Sequence, residues 1–164
     1  MSNLLEWEGP DDAPLSDVSA WVDANIKEGV VCPITGRTIK MWVQKLDTNM
    51  AQSLIRLYKV APSRAFVHYP TALAHLTPKG QDNHKISQLK WWYFVEEELT
   101  LRPDGGRAGY WRITEPGIKF VLDEIKVPAK ALTWRGEVED WSGEEIGITD
   151  ALGESFIYRE LMDA

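Results

Sequence analysis

The chain has 164 residues, 44% of them hydrophobic, and a formal net charge of −7, which is typical of one folded domain with a sizeable core and small appendages. No apolar run is long enough to span a bilayer, and the N-terminal stretch is acidic and interrupted by prolines, so we expect a cytoplasmic protein without membrane contact. The single cysteine, Cys32, excludes an intramolecular disulfide and any metal site built from several thiolates.

The negative charge is unevenly distributed along the chain. Residues 1–31 hold seven acidic and one basic residue, residues 32–123 hold eight acidic and thirteen basic residues, and residues 124–164 hold ten acidic and four basic residues. The middle is therefore basic, with a net charge of +5 between two flanks of −6 each. A positive segment between acidic flanks is typical of a nucleic-acid surface, and it also suits an acidic protein partner.

The first predicted element is an amphipathic helix. Ser16 is a suitable N-cap, Asp17 lies in the first turn, and Gly29 marks the end. One face of this helix carries an apolar stripe: Val18, Trp21, Val22 and Ile26.

The next segment, VVCPITGRTIKMWVQKLD, predicts a hairpin, because residues 33–36 favour a turn and apolar residues alternate after it. It resembles a zinc knuckle of the CPxCG kind in which Thr35 stands where the second cysteine would be. Without that thiolate we expect a metal-free turn and no cofactor. The remote alternative is a metal held by Cys32 together with histidines: His68, His75 and His84.

The middle of the chain predicts an alternation of helices and short strands. A helix begins near Thr48 or Asn49 and ends before Pro62, RAFVHY is a short strand, and Pro70 opens a short helix. After a turn at residues 78–80, a polar cap at Asp82 or Asn83 begins a longer helix over residues 84–93.

Two faces are expected on the helix over residues 84–93. The core face carries Ile86, Leu89 and Tyr93. The opposite face offers side chains that can contact base edges or a partner: His84, Ser87, Gln88 and Trp91. Lys85 and Lys90 flank that face and can reach phosphates. An indole is unusual in a major groove and common in protein interfaces, so Trp91 indicates a protein partner if it is exposed. The alternative is that the flanking segments cover Trp91 as part of the core, because a domain with eight tryptophans needs several of them there.

A hairpin then joins FVEEELTLR to AGYWRIT across a turn of proline, aspartate and two glycines. Three arginines lie at its tip and shaft, where they could meet a nucleic-acid backbone or minor groove: Arg102, Arg107 and Arg112. The alternative is that the three glutamates at 96–98 neutralise these arginines within the hairpin.

The segment ITEPGIKFVL follows the hairpin and predicts a helix. Thr114 is its cap, Pro116 lies in its first turn, and Phe120 packs under the hairpin. Further along, alternation around residues 131–141 predicts a second small hairpin, and Thr149 caps a brief helix.

The order of these elements, together with Thr114, Gly117 and Phe120, resembles a winged helix-turn-helix, in which the helix over residues 84–93 is the recognition helix and the hairpin is the wing. The resemblance implies an α+β fold with three segments: an N-terminal helix and hairpin (1–47), the winged helix (48–124) and an acidic, β-rich C-terminal appendage (125–164). The degenerate knuckle, the string WWYFVEEE and the ending FIYRELM also resemble a group of uncharacterised winged-helix proteins of bacteriophages and prophages.

Two functions are expected from this reading. The first is regulatory or sequence-tolerant DNA binding through the recognition helix and the wing arginines. The second is a phage-encoded interaction module that acts in the host cytoplasm and inhibits or redirects a host nucleic-acid enzyme or defence complex. A homodimer is compatible with either. No motif brings together catalytic groups, and Glu96, Glu97 and Glu98 alternate faces of a strand, so we expect no enzymatic activity.

Overall fold

The computed structural model describes residues 4–69, 85–99, 103–105 and 109–163. Over these residues the protein is a mixture of helices and strands, consistent with an α+β protein. The helices are α1 (Leu15–Asn25), α2 (Thr48–Val60), α3 (Lys85–Gln88), α4 (Glu115–Val121), α5 (Ile148–Leu152) and α6 (Tyr158–Asp163). The strands are β1 (Val30–Val31), β2 (Thr38–Ile39), β3 (Trp42–Lys45), β4 (Val67–His68), β5 (Val95–Glu97), β6 (Tyr110–Ile113), β7 (Val127–Trp134) and β8 (Glu137–Ile146). Two 3₁₀ helices cover Leu89–Trp92 and Gly153–Ser155.

The chain forms two compact units. The first holds the chain up to Gln44 together with Leu132–Asp140, and the second holds Lys45–Ala131 together with the chain from Trp141. The strands β3, β7 and β8 form one sheet in that order.

The first unit is built from α1 and the hairpin β1–β2. The hairpin predicted around the knuckle-like turn is confirmed, with Val30 opposite Ile39 and Val31 opposite Thr38. The apolar stripe of α1 is buried at Val18, Val22 and Ile26, and Trp21 is half-buried beside it. The predicted N-cap was wrong by two residues, because α1 begins at Leu15 after Pro14, whose fixed φ suits the entry to a helix.

Helix α2 is the centre of the second unit. Asp47, and not Thr48 or Asn49, is its N-cap, because the Asp47 carboxylate accepts a hydrogen bond from the Met50 amide at 2.9 Å. The helix contacts α3, α4, α5 and α6, so its side chains are buried on several sides. Its fully buried apolar residues are Met50, Ala51, Leu54, Ile55 and Leu57. At about 1.5–3 kcal/mol for each fully buried Leu, Ile or Met, this helix contributes a large share of the core stabilisation.

The predicted hairpin of the second unit is confirmed as the antiparallel pair β5–β6. The strand predicted in RAFVHY is β4, and the sheet order is β4–β6–β5. Val95 lies opposite Ile113, and Glu96 lies opposite Arg112. Because side chains alternate along a strand, the register puts Trp111 and Ile113 on the buried face and the Glu96–Arg112 pair on the other.

Helix α4 begins as predicted. The Thr114 hydroxyl accepts a hydrogen bond from the Gly117 amide at 3.2 Å and donates one to the Tyr93 carbonyl at 2.5 Å. Phe120 is fully buried, and its ring stacks on Phe94 with 4.6 Å between ring centroids. The cap therefore fixes the start of α4 against the chain that enters β5.

The C-terminal part of the second unit packs on α2. The second predicted hairpin is confirmed by β7 and β8, which turn at residues 135 and 136. The predicted cap Thr149 was wrong, because Gly147 precedes α5, and the carboxylate of Asp150 accepts a hydrogen bond from the Gly147 amide at 2.9 Å. Helix α6 was not predicted, and its Tyr158 hydroxyl donates a hydrogen bond of 2.6 Å to the Val121 carbonyl.

Three predicted features lie outside the described residues: the short helix from Pro70, the turn at residues 78–80 and the cap at Asp82 or Asn83. Across the described part of the chain, every helix is too short or too polar to cross a membrane.

Candidate functional site

The segment Lys85–Trp92 changes its helical type halfway. Its first four residues form α3 and its last four form a 3₁₀ helix, in which side chains three apart lie on one side. Ile86 and Leu89 are buried as predicted, and the next position at that spacing is Trp92, which is 4% exposed. The prediction that Tyr93 belongs to the core was wrong, because the 3.6-residue periodicity of an α-helix does not extend beyond Gln88.

Tyr93 occupies an unusual backbone conformation. Its φ of 60° and ψ of 25° put it in the left-handed region at the end of the 3₁₀ helix, where glycine is usually found. Its amide donates a hydrogen bond to the Lys90 carbonyl at 2.9 Å, and its carbonyl accepts the Thr114 hydroxyl. Its side chain is 61% exposed. The surrounding hydrogen bonds thus hold a tyrosine in a conformation that its Cβ disfavours.

The polar face of the segment is partly exposed. Ser87, Gln88 and Trp91 are half-buried, whereas Lys90 is exposed and its Nζ lies 4.6 Å from the centre of the Trp91 ring. Lys85 is half-buried and forms a salt bridge of 3.3 Å to the carboxylate of Asp47, the residue that caps α2. The fourth residue predicted for this face, His84, lies outside the described residues.

The described arginine of the hairpin is paired. Both Nε and Nη2 of Arg112 lie 2.6 Å from a carboxylate oxygen of Glu96, the residue directly opposite it. Its guanidinium also lies 4.8 Å from the centre of the Phe66 ring. The intra-hairpin ion pair, which was one of the two expectations for this residue, is therefore present. Arg102 and Arg107 lie outside the described residues.

An apolar pocket lies beside Tyr93. It has a volume of about 300 Å³ and is lined by Trp92, Tyr93, Val127, Pro128 and Trp141. The rings of Tyr93 and Trp141 are 6.3 Å apart at their centroids and inclined by 60°, so they form a tilted aromatic pair and are not stacked. Two of the lining residues are joined directly, because Nε1 of Trp92 donates a hydrogen bond of 2.8 Å to the Pro128 carbonyl.

Sequence reasoning missed this pocket. The sequence places Trp141 only in the alternation of the second hairpin and predicts Tyr93 in the core. The residues that line the pocket come from the end of the 3₁₀ helix, from the start of β7 and from β8, and no short-range pattern joins them. The available indication was the accumulation of aromatic residues at 91–94, which exceeds what one buried helix face can accommodate.

The knuckle-like turn keeps a defined shape. The Cys32 amide donates to the Arg37 carbonyl, and the Gly36 amide donates to the Cys32 carbonyl, each at 2.8 Å. A hydrogen bond from the Thr35 hydroxyl, together with the amides of Thr35 and Ile34, lowers the pKa of the Cys32 thiol. Within the described ranges, His, Cys, Asp and Glu side chains form no group of three or more that could hold a metal ion.

A second pocket, of about 350 Å³, lies among the start of α2, β7 and α5. Its two carboxylates are Asp47 and Asp150, and each already accepts a backbone amide hydrogen bond at a helix end. These groups stabilise the ends of α2 and α5.

Comparison of the chain with protein-family models, with curated proteins and with solved structures finds no match.

Proposed function

We propose that α2, β4, α3, β5, β6 and α4 form a winged helix-turn-helix that binds double-stranded DNA. The observation that supports this most is the connection between α3 and the hairpin: α3 packs on α2, and the chain then enters a β5–β6 hairpin whose second strand also pairs with β4. In winged helices this arrangement presents the helix before the hairpin to the major groove.

The side chains on this helix suit DNA contacts of modest specificity. Gln88 can donate to and accept from base edges, and Lys90 is exposed where it could reach a phosphate. A glutamine with one or two lysines provides few base contacts, which favours sequence-tolerant binding.

The ion pairs limit the affinity. Two ion pairs of this face are partly exposed: Lys85 with Asp47, and Arg112 with Glu96. Such pairs typically stabilise a fold by only about 0–1 kcal/mol. A DNA phosphate can therefore replace the carboxylate. The displaced carboxylates stay close to the phosphates, however, and repel them. We therefore expect weak binding that is lost as salt is added.

The test is a fluorescence-anisotropy titration of a labelled duplex over a range of salt concentrations. Lys90→Ala is expected to weaken binding and to reduce the slope of log K against log salt by about 0.9, the value for one lost phosphate contact. Lys119→Ala removes the same charge from α4, where Lys119 pairs with Glu115, and serves as the matched control. Glu96→Gln frees Arg112 and is expected to raise the affinity.

Two results would reject DNA binding by this face. One is the absence of binding to any duplex at low salt. The other is an equal effect of Lys90→Ala and Lys119→Ala, which would indicate that only the overall charge matters.

A second candidate function is protein interaction, and a specific observation supports it. Tyr93 and Trp141 expose aromatic surface around an apolar pocket, whereas Trp91 is half-buried under Lys90. Exposed aromatic side chains beside a pocket are characteristic of interface hot spots. If the chain is phage-encoded, the partner would be a host nucleic-acid enzyme or defence complex in the host cytoplasm. A pull-down from bacterial lysate with Trp91→Ala and Trp141→Ala compares the two tryptophans.

A further inference from the structure

We propose that residues 4–9 form an exchangeable arm through which two copies of this chain dimerise. In the dimer, the arm of each copy lies on the outer edge of strand β1 of the other copy, where it makes the contacts that it makes here within its own unit. This goes beyond DNA binding, because the arm and β1 belong to the first unit, whereas the proposed DNA contacts belong to the second.

The arm pairs with β1 through its backbone. Leu5 forms a parallel bridge with Val30. The Leu5 amide donates a hydrogen bond of 3.1 Å to the Gly29 carbonyl, and the Val31 amide donates one of 2.8 Å to the Leu5 carbonyl. Unpaired backbone groups at the edge of a strand accept a further strand, and the structure shows which segment fits this edge and in which direction.

Two side chains of the arm contact the same surface. Leu4 lies over Gly29, where its Cδ2 is 3.1 Å from the position that a Cβ would take, so a glycine leaves room for it. The ring of Trp7 meets the ring of Trp21 edge to face, with 5.5 Å between centroids and 79° between planes. Shape as well as backbone pairing therefore selects this arm, and a second copy carries the identical one.

The arm is attached loosely enough to leave this surface. None of residues 4–10 is buried, and Leu5 is 37% exposed. The arm has no regular secondary structure besides the bridge at Leu5. Segments with so little buried apolar surface open locally while the remainder of a protein stays folded.

The chain between the arm and α1 has the properties of a hinge. Residues 10–14 lie outside helices and strands and carry a proline at each end. The Ala13 amide donates a hydrogen bond of 3.2 Å to the Pro10 carbonyl and closes a turn there. Opening this turn breaks that bond, whereas every contact of the arm can form again on a second copy. Exchange of an identical element is for this reason a low-cost route to a dimer.

The length of the hinge determines which copy holds the arm. A short flexible linker gives its two ends an effective concentration of about millimolar, so we expect the native chain to be monomeric at micromolar concentration. A hinge too short to turn prevents the arm from reaching β1 of its own copy. The edge of β1 on a second copy is then the available one.

The test is sedimentation velocity of the full chain at micromolar concentration. Deletion of residues 11–13 removes the turn and joins Pro10 directly to Pro14. The matched control replaces the same three residues with glycine and keeps the length of the hinge. A circular-dichroism melting curve of each variant shows whether it is folded.

Two further variants locate the interface in the deletion background. Leu5→Pro removes the amide that donates to the Gly29 carbonyl. Leu15→Pro makes the same change at the first residue of α1, where proline is tolerated and the leucine is 71% exposed.

We expect the deletion variant to sediment as a dimer and the glycine variant as a monomer. Leu5→Pro should return the deletion variant to a monomer, whereas Leu15→Pro should leave the dimer unchanged. At about millimolar concentration the native chain should also contain dimer, and Leu5→Pro should weaken this association about tenfold or more.

Two results would overturn the proposal. One is a folded deletion variant that stays monomeric, and the other is a dimer that persists unchanged with Leu5→Pro, which would place the interface elsewhere. If the deletion variant does not fold, the native chain at millimolar concentration decides, and the absence of dimer there overturns the proposal as well. These measurements contain no DNA, so their outcome is independent of the duplex titration.

Discussion

Replacing Thr114 by valine tests whether one hydroxyl holds together the start of α4 and the end of the 3₁₀ helix. Valine has nearly the shape of threonine, so no cavity is created, but both hydrogen bonds of the hydroxyl are lost. The Gly117 amide then lacks its cap, and the Tyr93 carbonyl lacks a donor.

The expected cost is the sum of these two losses. Loss of an N-cap costs about 1 kcal/mol. A carbonyl left without a partner costs about 1–3 kcal/mol, and we take about 1–2 kcal/mol because the bond from Thr114 to the Tyr93 carbonyl is only partly buried. Thr114→Val should therefore lower the free energy of unfolding by about 2–3 kcal/mol, equivalent to about 4–12 °C in melting temperature for a chain of this size.

The assay is urea denaturation followed by circular dichroism, with Thr114→Ser as the matched control. Serine keeps the oxygen and loses one buried methyl group, which costs about 1 kcal/mol. If the serine variant is as unstable as the valine variant, packing of the methyl group dominates and the reasoning from the two hydrogen bonds is refuted.

Two further variants test the packing of the second unit and the electrostatics of the first. Gly117→Ala would place a Cβ 2.3 Å from the main-chain oxygen of Phe94. The overpacking should cost about 1–3 kcal/mol or more and outweigh a gain of about 1 kcal/mol in helix propensity. Urea denaturation should therefore show a less stable protein, and a more stable variant would contradict this contact. Asp23 accepts hydrogen bonds from Trp134 at 2.8 Å and Arg135 at 2.7 Å, and the bond from Trp134 is the largest of the causes that lower the pKa of Asp23 below its usual value of 3.8. Because this pKa is lowered, the Asp23 carboxylate stabilises the fold above pH 3.8, and this contribution is lost as the pH falls through the lower pKa of the folded state. Acid unfolding of the native chain should therefore be steeper than that of Asp23→Asn. Identical acid profiles would argue against the interaction.

Elements whose patterns are local can be predicted from the sequence alone. The stripe of α1, the turn at residues 33–36, the hairpin β5–β6 and the cap of α4 each depend on residues that are neighbours along the chain. Thr114 illustrates this, because an N-cap is recognised from the three residues that follow it.

Periodicity failed where the helix geometry changed. The change from α to 3₁₀ at Leu89 moved the buried position from Tyr93 to Trp92, and no glycine marked the helix end, because a tyrosine occupies the left-handed position. That conformation is maintained by the bond from Thr114, which lies in a different element. Only the folded chain supplies this bond.

The contacts of the charged and aromatic side chains likewise depend on how distant segments pack. From the sequence, Arg112 was equally a phosphate contact or the partner of a glutamate, and the strand register that puts it opposite Glu96 selected the ion pair. The pocket at Tyr93 and Trp141 depends on how β7 and β8 lie beside the 3₁₀ helix. The free energy of burying apolar surface is proportional to its area and has no preferred direction. Composition and pattern therefore determine that these aromatic residues cluster, whereas the packing of distant segments determines which of them remain exposed.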